Sequence, residues 1–147
     1  MKIIALLTDF GLKDPYVAEM KAKMLTINPN LNFVDITHEV NFADIRQAGF
    51  KLFKSYRYFP DGTIFLVVVD PGVGTSRKPI IVSTKKYYFV GPDNGVFSYI
   101  YENEEHTVYE IKVNDKNVSY TFHGRDIFAP TSARPVSYTH LTLPTKA

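Results

Sequence analysis

A carboxylate, a flexible turn and a guanidinium follow one another after an unbroken apolar run. Residues 64–69 read IFLVVV, and they precede Asp70, Gly72, Gly74 and Arg77. Such a run is typical of a strand covered on both faces, as in a parallel sheet flanked by helices. Ligands of such folds bind beyond the carboxyl ends of the strands. The sequence therefore predicts that Asp70 lies where chemistry takes place.

Three further polar segments, TDFG, GPDNG and HGRD, also follow apolar or aromatic runs. Four strand ends are thus predicted to converge on one crevice, as a site for a polar ligand requires. The polar residues that they would bring together are Asp9, Asp70, Asp93, Asn94, His123, Arg125 and Asp126.

Each segment also has a purely structural interpretation. DPGVGTSR lacks the third glycine of a dinucleotide fingerprint and the Gly-Lys of a phosphate-binding loop, and it can equally be a tight turn. GPDNG is more typical of a turn than of a site, and Asp9 can simply cap a loop. FHGRD is harder to interpret as a surface ion network, because Phe122, Ile127 and Phe128 surround it with apolar bulk.

The other histidines carry less weight. His38, in DITHE, is more typical of a hydrogen-bonded structural histidine than of a ligand, and His106, in ENEEH, is expected to be solvated. No pair of histidines has the close helical spacing of a common zinc motif, so a metal site is not favoured.

Strands and helices alternate in the first half of the chain. Strands are predicted at residues 2–7, 32–37 and 64–69, with one helix capped by Asp14 and another by Asp44. The later segments PIIVS, YYFVGPDNG, TVYEIKV and VSYTFHGRD are predicted as further strands, with NDKN as a turn before the last. The pattern predicts a single-domain α/β fold with a mostly parallel, mixed sheet flanked by helices.

Composition narrows the function classes. The 147 residues suit one domain, and a net charge of +2 without a dense basic stretch gives no reason to expect a nucleic-acid partner. The lack of cysteine excludes disulfides and thiolate metal sites. The N-terminal KIIALL run is too short for a membrane span and no signal-peptide cleavage site follows it, so we expect a cytoplasmic protein with no membrane partner.

The C-terminal segment has a different character. Residues 136–145 read VSYTHLTLPT, which is similar to the translation of a transposase adapter used in sequencing libraries. We expect residues 134–147 to be an artefactual tail, so that residues 1–133 are the authentic domain and His140 carries no functional information.

Five ordered segments together resemble the N-terminal domain of the S-adenosylmethionine (SAM) hydroxide adenosyltransferases, the family that also contains the adenosyl-chloride and adenosyl-fluoride synthases. The segments are LLTDFGLKDPYVAEMK, VDITHEV, VVVDPGVGTSR, FVGPDNGVFS and TFHGRDIFAP. The resemblance implies that water, as hydroxide, attacks the ribose C5′ of SAM and releases adenosine and L-methionine. Because a sulfonium is already a good leaving group, it also implies that positioning and desolvation suffice, without a metal or redox cofactor.

The resemblance also implies roles for individual residues. The family's water-activating triad falls on Asp70, Arg77 and His123, of which His123 is predicted to accept the water proton and Arg77 to stabilise the developing hydroxide. Asp9 matches the aspartate that binds the ribose hydroxyls. The remaining predicted substrate-binding residues are Phe10, Phe122, Gly124, Asp93 and Asn94.

Two alternatives to hydrolysis follow from the family pattern. Halide-using members carry tyrosine where Asp70 stands and lack the histidine of FHGRD, and a carboxylate repels a halide whereas it assists deprotonation of water. Family members also have a β-rich C-terminal domain, which we expect this chain to lack, and assemble as homotrimers. A truncated, inactive fragment or a non-catalytic nucleoside-binding or assembly module is therefore the alternative to an enzyme, although nucleoside binding alone needs no water-activating triad.

Overall fold

The computed structural model describes residues 2–73, 77–112, 122–134 and 141–145, the last of these for the backbone alone. Within these ranges, seven strands form one sheet with the order β2-β1-β3-β5-β4-β6-β7. The strands are β1 (Lys2–Thr8), β2 (Leu31–Thr37), β3 (Ile64–Val68), β4 (Pro79–Thr84), β5 (Tyr88–Pro92), β6 (His106–Ile111) and β7 (Leu141–Thr145). The helices are α1 (Tyr16–Ile27), α2 (Ile45–Ser55), α3 (Ser98–Asn103) and α4 (Ala129–Ala133).

The sheet is parallel on one side and antiparallel on the other. Strands β2, β1, β3 and β5 run parallel, with β1 between β2 and β3. Strands β4, β6 and β7 continue the sheet with antiparallel pairing. The carboxyl ends of β1, β2, β3, β5 and β6 and the amino end of β4 therefore lie at the same edge. This confirms the predicted mixed α/β sheet.

Two apolar layers cover the sheet. Along β3, Phe65 and Val67 pack towards α2 and α3, whereas Leu66 and Val68 pack towards α1 and α4. All five residues of β3 are buried. The unbroken apolar run thus has the two-sided burial that its sequence predicts, at roughly 1.5–3 kcal/mol of stabilisation for each large side chain removed from water.

The first two helices confirm the predicted helical periodicity. Helix α2 begins after Asp44, whose side chain accepts a hydrogen bond from the Gln47 N–H, as the sequence predicts. The predicted cap of α1 is wrong by one residue, because Pro15 occupies the N-cap and no side chain bonds the first turn. A proline ring at this position supplies a helix-compatible φ angle in place of a cap.

The prediction of a strand over FHGRD is wrong. Residues Gly124–Phe128 form a π-helical turn that leads directly into α4, and His123 stands at its start. Alternating aromatic and polar residues suggested a strand, but Ile127 and Phe128 pack with α4 on the α1 side of the sheet, which helical spacing allows. The predicted NDKN turn and residues 118–121 lie outside the described residues.

Candidate functional site

Asp70, Arg77 and His123 form one hydrogen-bonded cluster. Arg77 Nε donates to Asp70 Oδ1 at 2.9 Å, and Arg77 Nη2 contacts Asp70 Oδ2. The same Nη2 lies 2.7 Å from His123 Nδ1. Asp70 lies two residues after the end of β3, and Arg77 lies two residues before β4. Because β4 is antiparallel to β5, its amino end lies at this same edge. The guanidinium therefore lies between the carboxylate and the imidazole.

The cluster is largely withdrawn from water. The Asp70 and Arg77 side chains are 5% and 9% exposed, and the Arg77 guanidinium lies over the Phe128 ring at 5.3 Å. A bidentate arginine–carboxylate pair has a fixed planar geometry, and the aromatic face holds the guanidinium from the other side. The positions of both charges are thus set before any ligand arrives.

The protonation state of His123 follows from its neighbours. Burial, and then the charge of Arg77, lower the pKa of His123, so the neutral imidazole is favoured. Because a guanidinium can only donate, His123 Nδ1 is the acceptor and the ring proton lies on Nε2. The single lone pair of the neutral ring is therefore occupied by Arg77. In this arrangement His123 has no free lone pair with which to accept a proton.

The π-helical turn brings His123 to the cluster. An added Cβ at Gly124 would lie 3.1 Å from Val68 and 3.2 Å from Met20, so the turn packs directly against β3 and α1. A π turn is a common feature of functional sites because it re-aims neighbouring side chains. Glycine at position 124 thus permits the close approach that places His123 beside Arg77.

A cavity of about 290 Å³ opens beside the cluster. Six of the residues that the sequence predicts for the site line it, together with Val68 and Pro71 and Val73 of the β3 end. The predicted residues in its wall are Asp9, Phe10, Asp70, Phe122, His123 and Gly124. The volume is at the lower end of small-molecule sites.

Asp9 lines the same cavity and has its own environment. Its Oδ2 accepts a hydrogen bond from the Ala43 N–H at 2.8 Å. Burial raises the pKa of Asp9, and the charge of Asp70 raises it further. Ala43 has a φ of +61°, a left-handed conformation that costs a non-glycine residue free energy. The strained backbone thus holds a donor against Asp9.

Phe10 and Phe122 of the cavity wall belong to a cluster of three aromatic rings. Phe10 packs edge-to-face on Phe122 at 5.7 Å, and Tyr16 contacts both rings at 5.9 and 5.4 Å. The Arg125 guanidinium covers Phe122 at 4.9 Å and is paired with Asp126 and Glu19. Arg125 and Asp126 therefore support the wall from outside instead of lining the cavity.

Asp93 and Asn94 lie outside the cavity wall. Asp93 is exposed, and Asn94 donates its side-chain N–H to the Val69 carbonyl at 2.9 Å. Asn94 therefore ties the end of β5 to the end of β3, as a turn residue does. Their predicted binding of substrate stays a prediction.

Sequence reasoning named none of the other five residues of the cavity wall, which are Val68, Pro71 and Val73 near Asp70 and Phe42 and Ala43 on the loop after β2. Phe42 is 88% exposed. The sequence signal for Phe42 was its position on the loop after β2, two residues before the Asp44 cap. The strained φ of Ala43 has no sequence signature, because glycine or asparagine is typical at such a position.

Two negative observations apply to the described residues. None of their His, Asp and Glu side chains form a group of three that could hold a metal ion. No helix among residues 2–73, 77–112 and 122–134 has the length and apolarity needed to cross a membrane.

Comparison with known proteins identifies the family. The family model described as the SAM hydroxide adenosyltransferase N-terminal domain matches residues 4–143. The chain is 39% identical over 139 residues to a protein of Methanocaldococcus jannaschii named (R)-S-adenosyl-L-methionine hydrolase, covering 90% of this chain and 52% of that protein. It is 27% identical over 158 residues to a fluorinase of Actinoplanes, covering 89% of this chain and 53% of that protein.

A solved structure agrees with the sequence comparison. The chain superimposes on a crystal structure of an uncharacterised conserved protein from Thermotoga maritima with a TM-score of 0.86 and 49% identity, covering 88% of this chain and 52% of the other. The chain therefore spans about half the length of the relatives that it matches.

Proposed function

We propose that this chain, which belongs to the SAM hydroxide adenosyltransferase family, acts in the hydrolysis of SAM to adenosine and L-methionine. The observation that carries the proposal is the Asp70–Arg77–His123 cluster, of which Asp70 and His123 line the cavity and Arg77 bonds both. A fixed carboxylate and a fixed cation in a partly dry site are suited to activating one water molecule.

The proposed reaction is a single displacement. A water molecule beside Asp70 attacks the ribose C5′, the new C5′–O bond forms as the C5′–S bond breaks, and the electron pair leaves with the methionine sulfur. Asp9 binds the ribose hydroxyls, for which its partly buried carboxylate is a suitable acceptor. The enzyme's main contribution is in-line positioning, which can lower a barrier by roughly 7–11 kcal/mol.

The three residues of the cluster have distinct proposed roles. Asp70 takes the proton of the attacking water, because both its oxygens keep lone pairs besides those bonded to Arg77. Arg77 stabilises the developing hydroxide with fixed positive charge. His123 accepts from Arg77 through Nδ1 and so holds the guanidinium in place, while its own ring proton lies on Nε2. In this proposal His123 is therefore not the direct proton acceptor that the sequence predicts.

We further propose that the chain works in the cytoplasm, without a cofactor, as part of a homotrimer. Phe42 and Leu12 are 88% and 68% exposed, and both follow strand ends at the edge where the cavity lies. Phe42 lines the cavity, and exposed large apolar side chains are suited to being covered by another subunit.

The test follows SAM and its products. The purified chain is incubated with SAM, with and without excess chloride, and adenosine, 5′-chloro-5′-deoxyadenosine and methionine are separated by chromatography. We expect adenosine and methionine in equal amounts, independent of chloride, and their loss in Arg77→Ala. A chlorinated nucleoside would indicate halogenation. Tight SAM binding without turnover, unchanged in Arg77→Ala, would indicate a binding module.

A further inference from the structure

A buried polar pair lies directly behind the cavity wall. Thr8 Oγ1 lies 2.7 Å from His38 Nδ1, and the Phe10 N–H donates to the same hydroxyl at 3.3 Å. Thr8 is fully buried and His38 is 3% exposed. Neither side chain is among those that line the cavity. Because buried polar groups are costly unless they are bonded, this contact strongly favours one geometry.

The direction of the hydrogen bonds is fixed by charge. His38 Nε2 lies 3.0 Å from Asp35 Oδ1 in a close but poorly aligned contact, and Asp35 Oδ2 pairs with Lys21 at 2.9 Å. A carboxylate favours the ring proton on the nitrogen that faces it, so with one ring proton Nδ1 accepts from the Thr8 hydroxyl. The hydroxyl oxygen is then left to accept from the Phe10 N–H.

Backbone hydrogen bonds also connect the residues around Asp9 to the loop after β2. The Gly11 N–H donates to the His38 carbonyl at 2.7 Å, and the Val40 N–H donates to the Thr8 carbonyl at 3.4 Å. The turn after β1 is therefore held by the loop after β2 on both sides of Asp9. The same loop supplies the Ala43 N–H that Asp9 accepts.

We propose that Thr8 and His38 are positioning residues that set nucleoside affinity by fixing the orientation of Asp9 and Phe10. They act without touching the ligand: the hydroxyl holds the backbone on both sides of Asp9, and the imidazole holds the hydroxyl. The inference rests on the proposed function, since it takes the adenosine part of SAM as the ligand of the cavity.

The test removes a buried threonine hydroxyl at each of two positions, Thr8 and Thr63, in separate variants. Thr8→Val keeps the side-chain shape and deletes the contacts with His38 and Phe10, whereas Thr8→Ser restores a hydroxyl. Thr63→Val is the matched control, because Thr63 is 1% exposed and its hydroxyl donates to the Pro60 carbonyl before β3, at the opposite edge of the sheet. Adenosine affinity by calorimetry and hydrogen exchange of the Ala43 amide are measured in all three variants and the wild type.

We expect Thr8→Val to weaken adenosine binding by about tenfold or more and to speed exchange at Ala43, since small displacements of binding groups have large effects. Thr8→Ser should recover most of the affinity, and Thr63→Val should change affinity by less than about twofold while losing comparable thermal stability. Equal effects of Thr8→Val and Thr63→Val on affinity and on Ala43 exchange would overturn the inference. If the wild type binds no adenosine, the proposed function fails, and Ala43 exchange alone decides for or against the positioning role.

Discussion

Two clusters in this fold contain an aspartate, a histidine and a cation, yet they differ in order and in surroundings. At the end of β3, Arg77 lies between Asp70 and His123, beside a cavity. At the end of β2, His38 lies between Asp35 and Thr8, and the polar chain ends on the backbone of Phe10.

The difference shows why residue types alone do not define a site. In the β3 cluster the carboxylate keeps free lone pairs beside a cavity, so it can act on a ligand. In the β2 cluster the imidazole bonds a fully buried hydroxyl, so it can affect a ligand only through the residues that it positions. His38 is buried and bonded through Nδ1, which agrees with the predicted hydrogen-bonded histidine, and His106 is exposed as predicted.

The largest effect should separate the two aspartates. Asp70→Asn is expected to lower SAM turnover by about a hundredfold or more, because the amide cannot take the water proton. Asp35→Asn, in the β2 cluster, should lower it by less than about threefold. Steady-state kinetics measures both, and similar losses would mean that the two clusters do not differ as argued.

The next effect concerns His123. Asparagine can place an oxygen near the position of Nδ1 and still accept from Arg77, but it cannot take a proton. We expect His123→Asn to keep turnover within about tenfold of the wild type and His123→Ala to lose about a hundredfold. Equal inactivity of the two variants would indicate that His123 accepts the proton of the attacking water, and it would contradict the role given to Asp70.

The pH dependence of stability should also distinguish this cluster. The pKa of folded His123 is lowered below 6.5, first by burial and then by Arg77. As the pH falls below about 6.5, the unfolded chain therefore binds more protons than the folded chain. The stability that His123 contributes as a neutral side chain above that pH is then lost. The wild-type thermal midpoint should fall more steeply between about pH 6.5 and 5 than that of His123→Asn. Parallel curves would contradict the buried neutral state.

The smallest effect is expected at the outer end of the β2 cluster. Lys21 and Asp35 form an ion pair with side chains 28% and 40% exposed. Such pairs contribute about 0–1 kcal/mol and are screened by salt, so Lys21→Ala should lower the free energy of unfolding by no more than this. Urea denaturation at low and high salt measures the difference. A larger, salt-independent loss would show that the pair supports the buried Thr8–His38 contact.

Much of the fold and part of the site were predictable from sequence. Asp70 and Asp9 follow apolar runs, and parallel strands bring such ends to one edge, so their meeting could be expected. Asn94 follows β5 at the same edge, but its side-chain N–H donates to the Val69 carbonyl. No local sequence pattern indicates this hydrogen bond.

Other features depend on three-dimensional packing. His123 reaches Arg77 through a π turn that packs against Val68 and Met20, whereas its local sequence alternates like a strand. The position of Arg77 between Asp70 and His123 likewise depends on the folded structure and has no local sequence pattern. It changes the expected proton acceptor, although the sequence led us to expect that these three residues would meet.

The most direct measurement of the central claim is SAM turnover in oxygen-18 water, with mass spectrometry of both products. Attack of water at the ribose C5′ predicts one labelled oxygen in adenosine, at the 5′ position, and none in methionine. Arg77→Ala and Asp70→Asn should form labelled adenosine at least about a hundredfold more slowly. Unlabelled adenosine, or labelled adenosine formed equally fast by both variants, would contradict the account.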